Sequence, residues 1–269
     1  MLPNHKPNLG RLFMNKLKLQ LKNWIEAITG YEIVRYGPGT FALINNKRLS
    51  DIWFSRHAQL RALFQKHNID LVVDVGANEG QFAREIRTFY HGDIVSFEPA
   101  KVVFSKLAKA AAADSKWHVH QLALGNYVGT QTLHVSEQTI FSSLLKATDY
   151  SFHRFGPSAL GNQEETVQVD RLDNTLDKLF PSIEDKRIFL KMDTQGYDAE
   201  VFKGVGGRLN LVTVLQSEVS VIPIYDGMPH WTDSISLYEE AGFGVVGLFP
   251  VTRDAGQVVE FDCLMARAC

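Results

Sequence analysis

Between residues 74 and 98 the chain sets out a group of side chains that suit a nucleoside ligand. Asp74-Val75-Gly76-Ala77-Asn78-Glu79-Gly80 follows a run of branched apolar residues, and Glu98 lies 18 positions beyond Gly80. Gly76 permits a tight turn with bare backbone, so a ligand can approach closely. A carboxylate at the end of the next strand, Glu98, can accept both hydroxyls of an adenosine ribose. A dinucleotide site asks for G-x-G-x-x-G, and position 78 is Asn; the phosphate-binding G-x-x-x-x-G-K-[ST] is absent as well. Asp74 and Glu79 make the turn acidic, which repels phosphate but suits a ligand carrying an ammonium and a sulfonium. These charges point to S-adenosylmethionine rather than NAD. Asp74, Gly76, Ala77, Asn78, Gly80, Glu98 and Pro99 are the expected contacts. The plainer alternative is an ordinary strand-to-helix turn in which Asp74 only caps the helix.

A second group follows later. Asp193 ends the run Ile188-Phe189-Leu190-Lys191-Met192 and would share the cleft with Gly76. It has two competing roles, holding the methionine end of the donor or acting as base toward a hydroxyl acceptor. A third pairs it with Glu218 as oxygen ligands for Mg²⁺, and a structural alternative is a salt bridge to Lys191 or Arg171. No residue is assigned as a metal ligand. His153 and His230, in expected loops beside the cleft, are further base candidates. Ser142 and Ser143 could bind the donor carboxylate or the acceptor, or only cap a loop.

The elements that must position these groups are legible as periodicity. From Ile69 onward, short β-rich apolar runs alternate with helical stretches, the pattern of a mostly parallel sheet covered on both faces. Strands are expected at 69–75, 93–97, 117–124, 130–136, 167–169, 188–193 and 211–219, with 245–249 and 258–265 as a terminal antiparallel pair. Helices are expected at 81–90, 100–113, 172–179, 197–203 and 231–241, with Pro99 opening the second. Residues 137–162 read as a long functional loop. The expected division is an N-terminal helical extension over residues 1–60 and a catalytic domain over 61–269.

The motifs together resemble the FkbM-type S-adenosylmethionine-dependent methyltransferases. The resemblance rests on Val73 to Gly80, Phe97-Glu98-Pro99, Ala123-Leu124-Gly125, Ser142-Ser143-Leu144, Val169 to Asp173, and Leu190 to Asp198, in that order. It implies a Rossmann-like class I methyltransferase fold, an α/β architecture whose mostly parallel seven-stranded sheet carries an antiparallel terminal strand. It also implies Ala123, Leu124 and Ser143 as further donor contacts and a hydroxyl of a sugar or other small molecule as acceptor. The family's usual K-[IM]-D-x-E-G departs here, because Gln195 stands where that Glu would be. The alternatives are an NAD-dependent oxidoreductase on the same sheet and a non-catalytic nucleoside-binding protein.

Bulk properties agree. The 269 residues are 45% hydrophobic, enough for one large core, and the formal charge of -2 provides no net attraction for nucleic acid. Two cysteines without zinc spacing and no long apolar span suggest a reducing, cytoplasmic setting. Lys6, Arg11, Lys16, Lys18 and Lys22 alternate with apolar residues before the first acid, Glu26. That segment, within residues 1–25, is expected either to lie on an anionic membrane surface or to cap the domain.

Overall fold

Every residue from Leu71 to Val75, and every residue from Ile188 to Met192, is buried. Strands of this kind belong in the middle of a sheet covered on both faces, and that is where a computed structural model of the chain puts them. The structure describes residues 28–29, 31–37, 40–44, 55–157 and 161–268. The basic segment 1–25 lies outside them.

The chain divides into two units, Met1–Ala62 and Leu63–Cys269. In the first, β1 (Glu32–Gly37) and β2 (Thr40–Ile44) form an antiparallel hairpin. This corrects the expectation of a helical extension over residues 1–60, in that its described residues include a strand pair. Both segments are rich in β-branched and aromatic residues, Ile33, Val34 and Tyr36 in one and Thr40, Phe41 and Ile44 in the other, which favour strands over a helix. Helix α1 (Arg56–Lys66) follows and runs across the boundary at Ala62.

The second unit holds β3 (Leu71–Val75), α2 (Gln81–Ile86), β4 (Asp93–Phe97), α3 (Lys101–Ala111) and β5 (Trp117–His120). Next come β6 (Ala123–Gly125), β7 (Gly129–Val135), α4 (Asp149–Phe155), β8 (Gln163–Arg171) and α5 (Leu172–Leu179). It ends with β9 (Ile188–Met192), α6 (Asp198–Lys203), β10 (Val212–Ser220), α7 (Trp231–Glu240), β11 (Phe243–Asp254) and β12 (Gln257–Arg267). The seven-stranded sheet runs β11-β12-β10-β9-β3-β4-β5. Strands β10, β9, β3, β4 and β5 pair in parallel, while β12 is antiparallel to both of its neighbours. The antiparallel strand is therefore last in the chain but sits inside the sheet, with β11 at the edge.

Strand order reverses at β3. The chain moves from β3 outward to β4 and β5, then returns to place β9 on the other side of β3. Ligands of open α/β sheets bind at such a switch point, outside the carboxyl ends of the strands. Gly76, Glu98 and Asp193 all follow those ends.

The expected strand 117–124 breaks in two. Residues 117–120 pair with β4, whereas Ala123–Gly125 joins a separate three-stranded sheet ordered β6-β8-β7. This small sheet packs its inner residues Leu124, Leu133, Val167 and Val169 into the same core as Val73, Val75 and Phe97. Pro99 does not open a helix, since Ala100 is the N-cap of α3 and Pro99 precedes it. The long loop is partly ordered, with a 3-10 turn at Thr139–Phe141 and helix α4, whose N-cap Thr148 accepts a hydrogen bond from Ser151 N.

Candidate active site

Glycine at position 76 is required by the packing of two strand ends. Its φ is +73°, and a Cβ there would lie 2.0 Å from the carbonyl oxygen of Asp193. The bare turn lets the ends of β3 and β9 touch, and Asp193 N donates to Val75 O at 3.1 Å. Gly76 N and Ala77 N both donate to Phe97 O at 3.0 Å, tying the turn to β4. Asn78 takes a left-handed φ of 47°. Its N–H donates to Glu98 Oε2 at 3.0 Å, and Ala100 N donates to Glu98 Oε1 at 2.9 Å. Glu98 is thus held from two sides at the rim of the turn, with one lone pair on each oxygen still free. Burial pushes its carboxyl up to about 7 against the pull of those two N–H groups.

The charge pattern inferred for the turn needs correction. Asp74 is fully buried, faces Ser96 Oγ at 3.2 Å and pairs with Lys191 Nζ at 3.1 Å. Register explains this, because Asp74 and Lys191 are directly opposite across β3 and β9. Lys191 also reaches Gly76 O at 3.3 Å and Asp193 Oδ2 at 3.4 Å. Its burial alone would favour the neutral amine, but the two carboxylates outweigh that and raise its pKa. Glu79 pairs with Lys106 at 2.7 Å. Two of the acids expected to line the turn are therefore matched by lysines; Glu98 is buried beside the turn, and Asp193, which shares Lys191, keeps a side chain 39% exposed.

Asp193 belongs to a hydrogen-bonded cluster. Gln195 Nε2 donates to Asp193 Oδ1 at 3.2 Å and to Glu218 Oε2 at 2.9 Å, while Gln195 Oε1 accepts from Tyr225 OH at 2.8 Å. Ser143 Oγ donates to Gln195 O at 2.6 Å and accepts from Leu145 N at 3.0 Å. Asp198, buried behind this turn, accepts from Thr194 N, Ser217 Oγ and Glu218 N at 2.8, 2.8 and 3.1 Å. It locks the residues after β9 against β10, so that Asp193 and Glu218 meet. Desolvation, reinforced by Asp193, Glu260 and Asp262, pushes the Glu218 carboxyl well above its usual range. Glu260 is itself buried, accepts from Ser220 Oγ at 3.2 Å and is pushed up to about 7 by desolvation.

The expected site residues fall into two sets. Gly76, Ala77, Asn78, Gly80, Glu98 and Pro99 meet around one turn, which Thr139 Oγ1 reaches from the loop by donating to Asn78 Oδ1 at 3.2 Å. Asp193, Ser143 and Glu218 meet through Gln195. Ala123 and Leu124 are buried side chains of the small sheet. Beside them Gln121 and Leu122, together with Pro99, Glu165 and Val167, line a cavity of about 260 Å³. Neither expected histidine joins these groups: His153 is exposed on α4 against Phe152, and His230, at the N-cap position of α7, has Nδ1 2.7 Å from Thr232 Oγ1. Of the salt-bridge partners weighed for Asp193, Lys191 makes the contact, whereas Arg171 pairs with Asp173 at 2.7 Å. Between Asp193 and Glu218, the pair weighed for Mg²⁺, stands the side-chain amide N–H of Gln195. Among the described residues no group of three or more His, Cys, Asp or Glu is placed to hold a metal ion. The hydrogen bonds that join Gln195 to Asp193, Glu218 and Tyr225 are not legible in the sequence, where the departure at position 195 is a signal that points there.

Among curated proteins none matches this chain. Several solved structures share its arrangement weakly. Magnesium protoporphyrin IX methyltransferase from Synechocystis PCC 6803 with bound SAM is 8% identical, with 79% of this chain and 78% of that one covered at a TM-score of 0.42. Fibrillarin from Aeropyrum pernix with S-adenosyl-L-methionine is 13% identical over 88% and 83%, also at 0.42. Precorrin-6y C5,15-methyltransferase from Geobacter metallireducens GS-15 is 12% identical over 78% and 89% at 0.41. No helix among the described residues is long and apolar enough to cross a membrane. The match that assigns the chain is to a family model, the methyltransferase FkbM domain, over residues 74–245. That stretch is more than half of the sequence and contains the glycine turn, Glu98 and the Asp193 cluster, so the chain belongs to the methyltransferase FkbM domain family.

Proposed function

We propose that this protein transfers a methyl group from S-adenosylmethionine to a hydroxyl oxygen of a small molecule or sugar. The observation that carries the reading is the contiguity of two groups at one switch point. Glu98 is bound to the amide of Asn78, and two residues earlier Gly76 packs on the backbone of Asp193. A nucleoside-binding carboxylate and a carboxylate able to take a proton thus flank a single bare turn.

The residues present fit the donor. Glu98 would hold the ribose hydroxyls with the lone pairs its backbone donors leave free, and the Gly76 turn admits the ligand without a side chain in the way. The cavity lined by Pro99, Gln121 and Leu122 begins one residue beyond Glu98 and offers an amide side chain to a nucleobase. Bound there, the donor supplies a methyl group on cationic sulfur, open to in-line displacement.

The chain's own work is positioning and proton removal. An acceptor hydroxyl is a poor nucleophile until its proton is taken, and transfer gains most from holding it at the right angle with water kept out. Asp193 is the base in this reading. Its carboxylate is the more accessible of the acid pair, with a side chain 39% exposed, and Lys191 and Gln195 fix its orientation. The segment from Thr139 to Ser143 bonds to Asn78 at one end and to Gln195 at the other, so it links the two groups and would help keep water from a donor bound between them.

The test supplies donor labelled in its methyl group with a panel of sugars and hydroxylated small molecules, using wild type and Asp193→Asn. Label on oxygen with wild type, and at least a hundredfold less with the variant at unchanged binding of S-adenosylhomocysteine, is the expected result. Label on nitrogen, carbon or RNA would overturn the acceptor assignment.

A further inference from the structure

Where two acids converge at a strand-end crevice, the group between them decides what else they can hold. Here it is the side chain of Gln195. Its Nε2 lies 3.2 Å from Asp193 Oδ1 and 2.9 Å from Glu218 Oε2, and its Oε1 accepts from Tyr225 OH at 2.8 Å. So placed, Nε2 donates to both carboxyl groups while Oε1 accepts from the phenol, and every polar atom of the amide has a partner.

The backbone is built to keep it there. Gln195 has a φ of 53°, a left-handed conformation that a non-glycine residue keeps only where its surroundings hold it. Ser143 Oγ clasps its carbonyl oxygen at 2.6 Å, and Asp198 clasps the preceding residue through Thr194 N at 2.8 Å. Both amide hydrogens face acceptors, which is what a small cation would otherwise do for the pair. An amide nitrogen carries no lone pair for a metal, and Mg²⁺ asks for oxygen ligands at about 2.0–2.1 Å in near-octahedral array.

We propose that Gln195 is a positioning residue that takes the place of a divalent cation between Asp193 and Glu218, holding the acid pair together and closing it to metal. The inference deepens the reading of Asp193 as base and rests on that reading for its catalytic meaning. Its structural core stands on the hydrogen bonds alone. Replacing the amide by a carboxylate restores a third oxygen ligand at the same place, so Gln195→Glu should gain a divalent-cation site that wild type lacks.

The probe is Mn²⁺, titrated into the full chain and followed by its electron paramagnetic resonance, with Mg²⁺ as competitor. Gln195→Glu is expected to bind one Mn²⁺ at least tenfold more tightly than wild type, and Gln195→Met, which has neither amide nor carboxylate, should show no such gain. Failure of Gln195→Glu to exceed wild type would show that the three side chains do not converge, and the proposal falls. Far-UV circular dichroism checks folding. Should Gln195→Glu not fold, wild type and Glu218→Gln decide: Mn²⁺ bound by the first and lost in the second overturns the proposal, and no Glu218-dependent Mn²⁺ in wild type upholds it. Methyl transfer is not used as a readout, so a wrong assignment of the reaction leaves this result intact.

Discussion

Glu98→Gln should change stability in a way that depends on pH, and the size of the change follows from the burial of the carboxyl group. Glu98 titrates at about 7 in the folded chain against an ordinary value of 4.5. An acid whose folded pKa is raised lends its stability below the unfolded value and loses it as pH climbs to the folded one. Crossing that window, at about 1.4 kcal/mol per pH unit, costs wild type about 3 kcal/mol in all. Between pH 5 and pH 8 the part lost is about 2.5 kcal/mol. Glutamine does not titrate, so the variant escapes this loss. It pays a separate, pH-independent cost of about 1–3 kcal/mol, because one of the two N–H groups from Asn78 and Ala100 now meets an NH₂. Urea unfolding of both proteins at pH 5 and pH 8 separates the two effects. The stability difference, variant minus wild type, should rise by about 2.5 kcal/mol from the lower pH to the higher. Other titrating acids such as Glu260 act alike in both proteins and cancel. A difference that stays flat would show that Glu98 is an ordinary exposed acid, and its role at the rim of the turn would go with it. The same titration acts on ligand affinity with opposite sign: a carboxylate accepts two hydroxyls better than a carboxylic acid, so nucleoside binding by wild type should weaken as pH drops below about 7.

Gly76→Ala should lower thermal stability markedly and abolish nucleoside binding, since the new Cβ would sit 2.0 Å from the Asp193 carbonyl at a φ of +73°; a variant with wild-type melting would mean that β3 and β9 do not meet there. Lys191→Met leaves the fully buried Asp74 unpaired and should cost about 3–5 kcal/mol by urea unfolding. Adding Asp74→Asn should restore most of that loss, and a double variant no better than the single one would refute the pairing.

How much of this was legible beforehand depended on what each residue's neighbours had to be. Leu71–Val75 and Ile188–Met192 are continuous apolar runs because both faces of their strands are covered, and runs of that kind read directly as central strands. The helix at Leu172–Leu179 was equally plain. Strands at 130–136 and 167–169 were legible too, but their joining with Ala123–Gly125 in a separate sheet was not, because β8 begins with the polar Gln163-Glu164-Glu165 and pairs with β7 across 28 to 40 residues. At the site, residue types were readable but partners were not. Asp74 looked like a charge lining the turn, and only the register of β3 on β9 reveals Lys191 opposite it. His153 and His230 are candidates by chemistry, and the fold puts them on α4 and at the start of α7 without a hydrogen bond to Asp193 or Glu98. Gln195 stood out as a departure from the resemblance, but what it does there depends on Glu218 and Tyr225, 23 and 30 residues away in sequence.

Calorimetric titration of the wild-type chain at pH 8 with S-adenosylhomocysteine, and separately with NAD, probes the crevice between Gly76, Glu98 and Asp193 most directly. One nucleoside bound per chain, weakened by about 1.5–3 kcal/mol in Glu98→Ala, with no heat from the dinucleotide, is the expected result. Heat from NAD alone, or nucleoside affinity indifferent to the loss of Glu98, would contradict it.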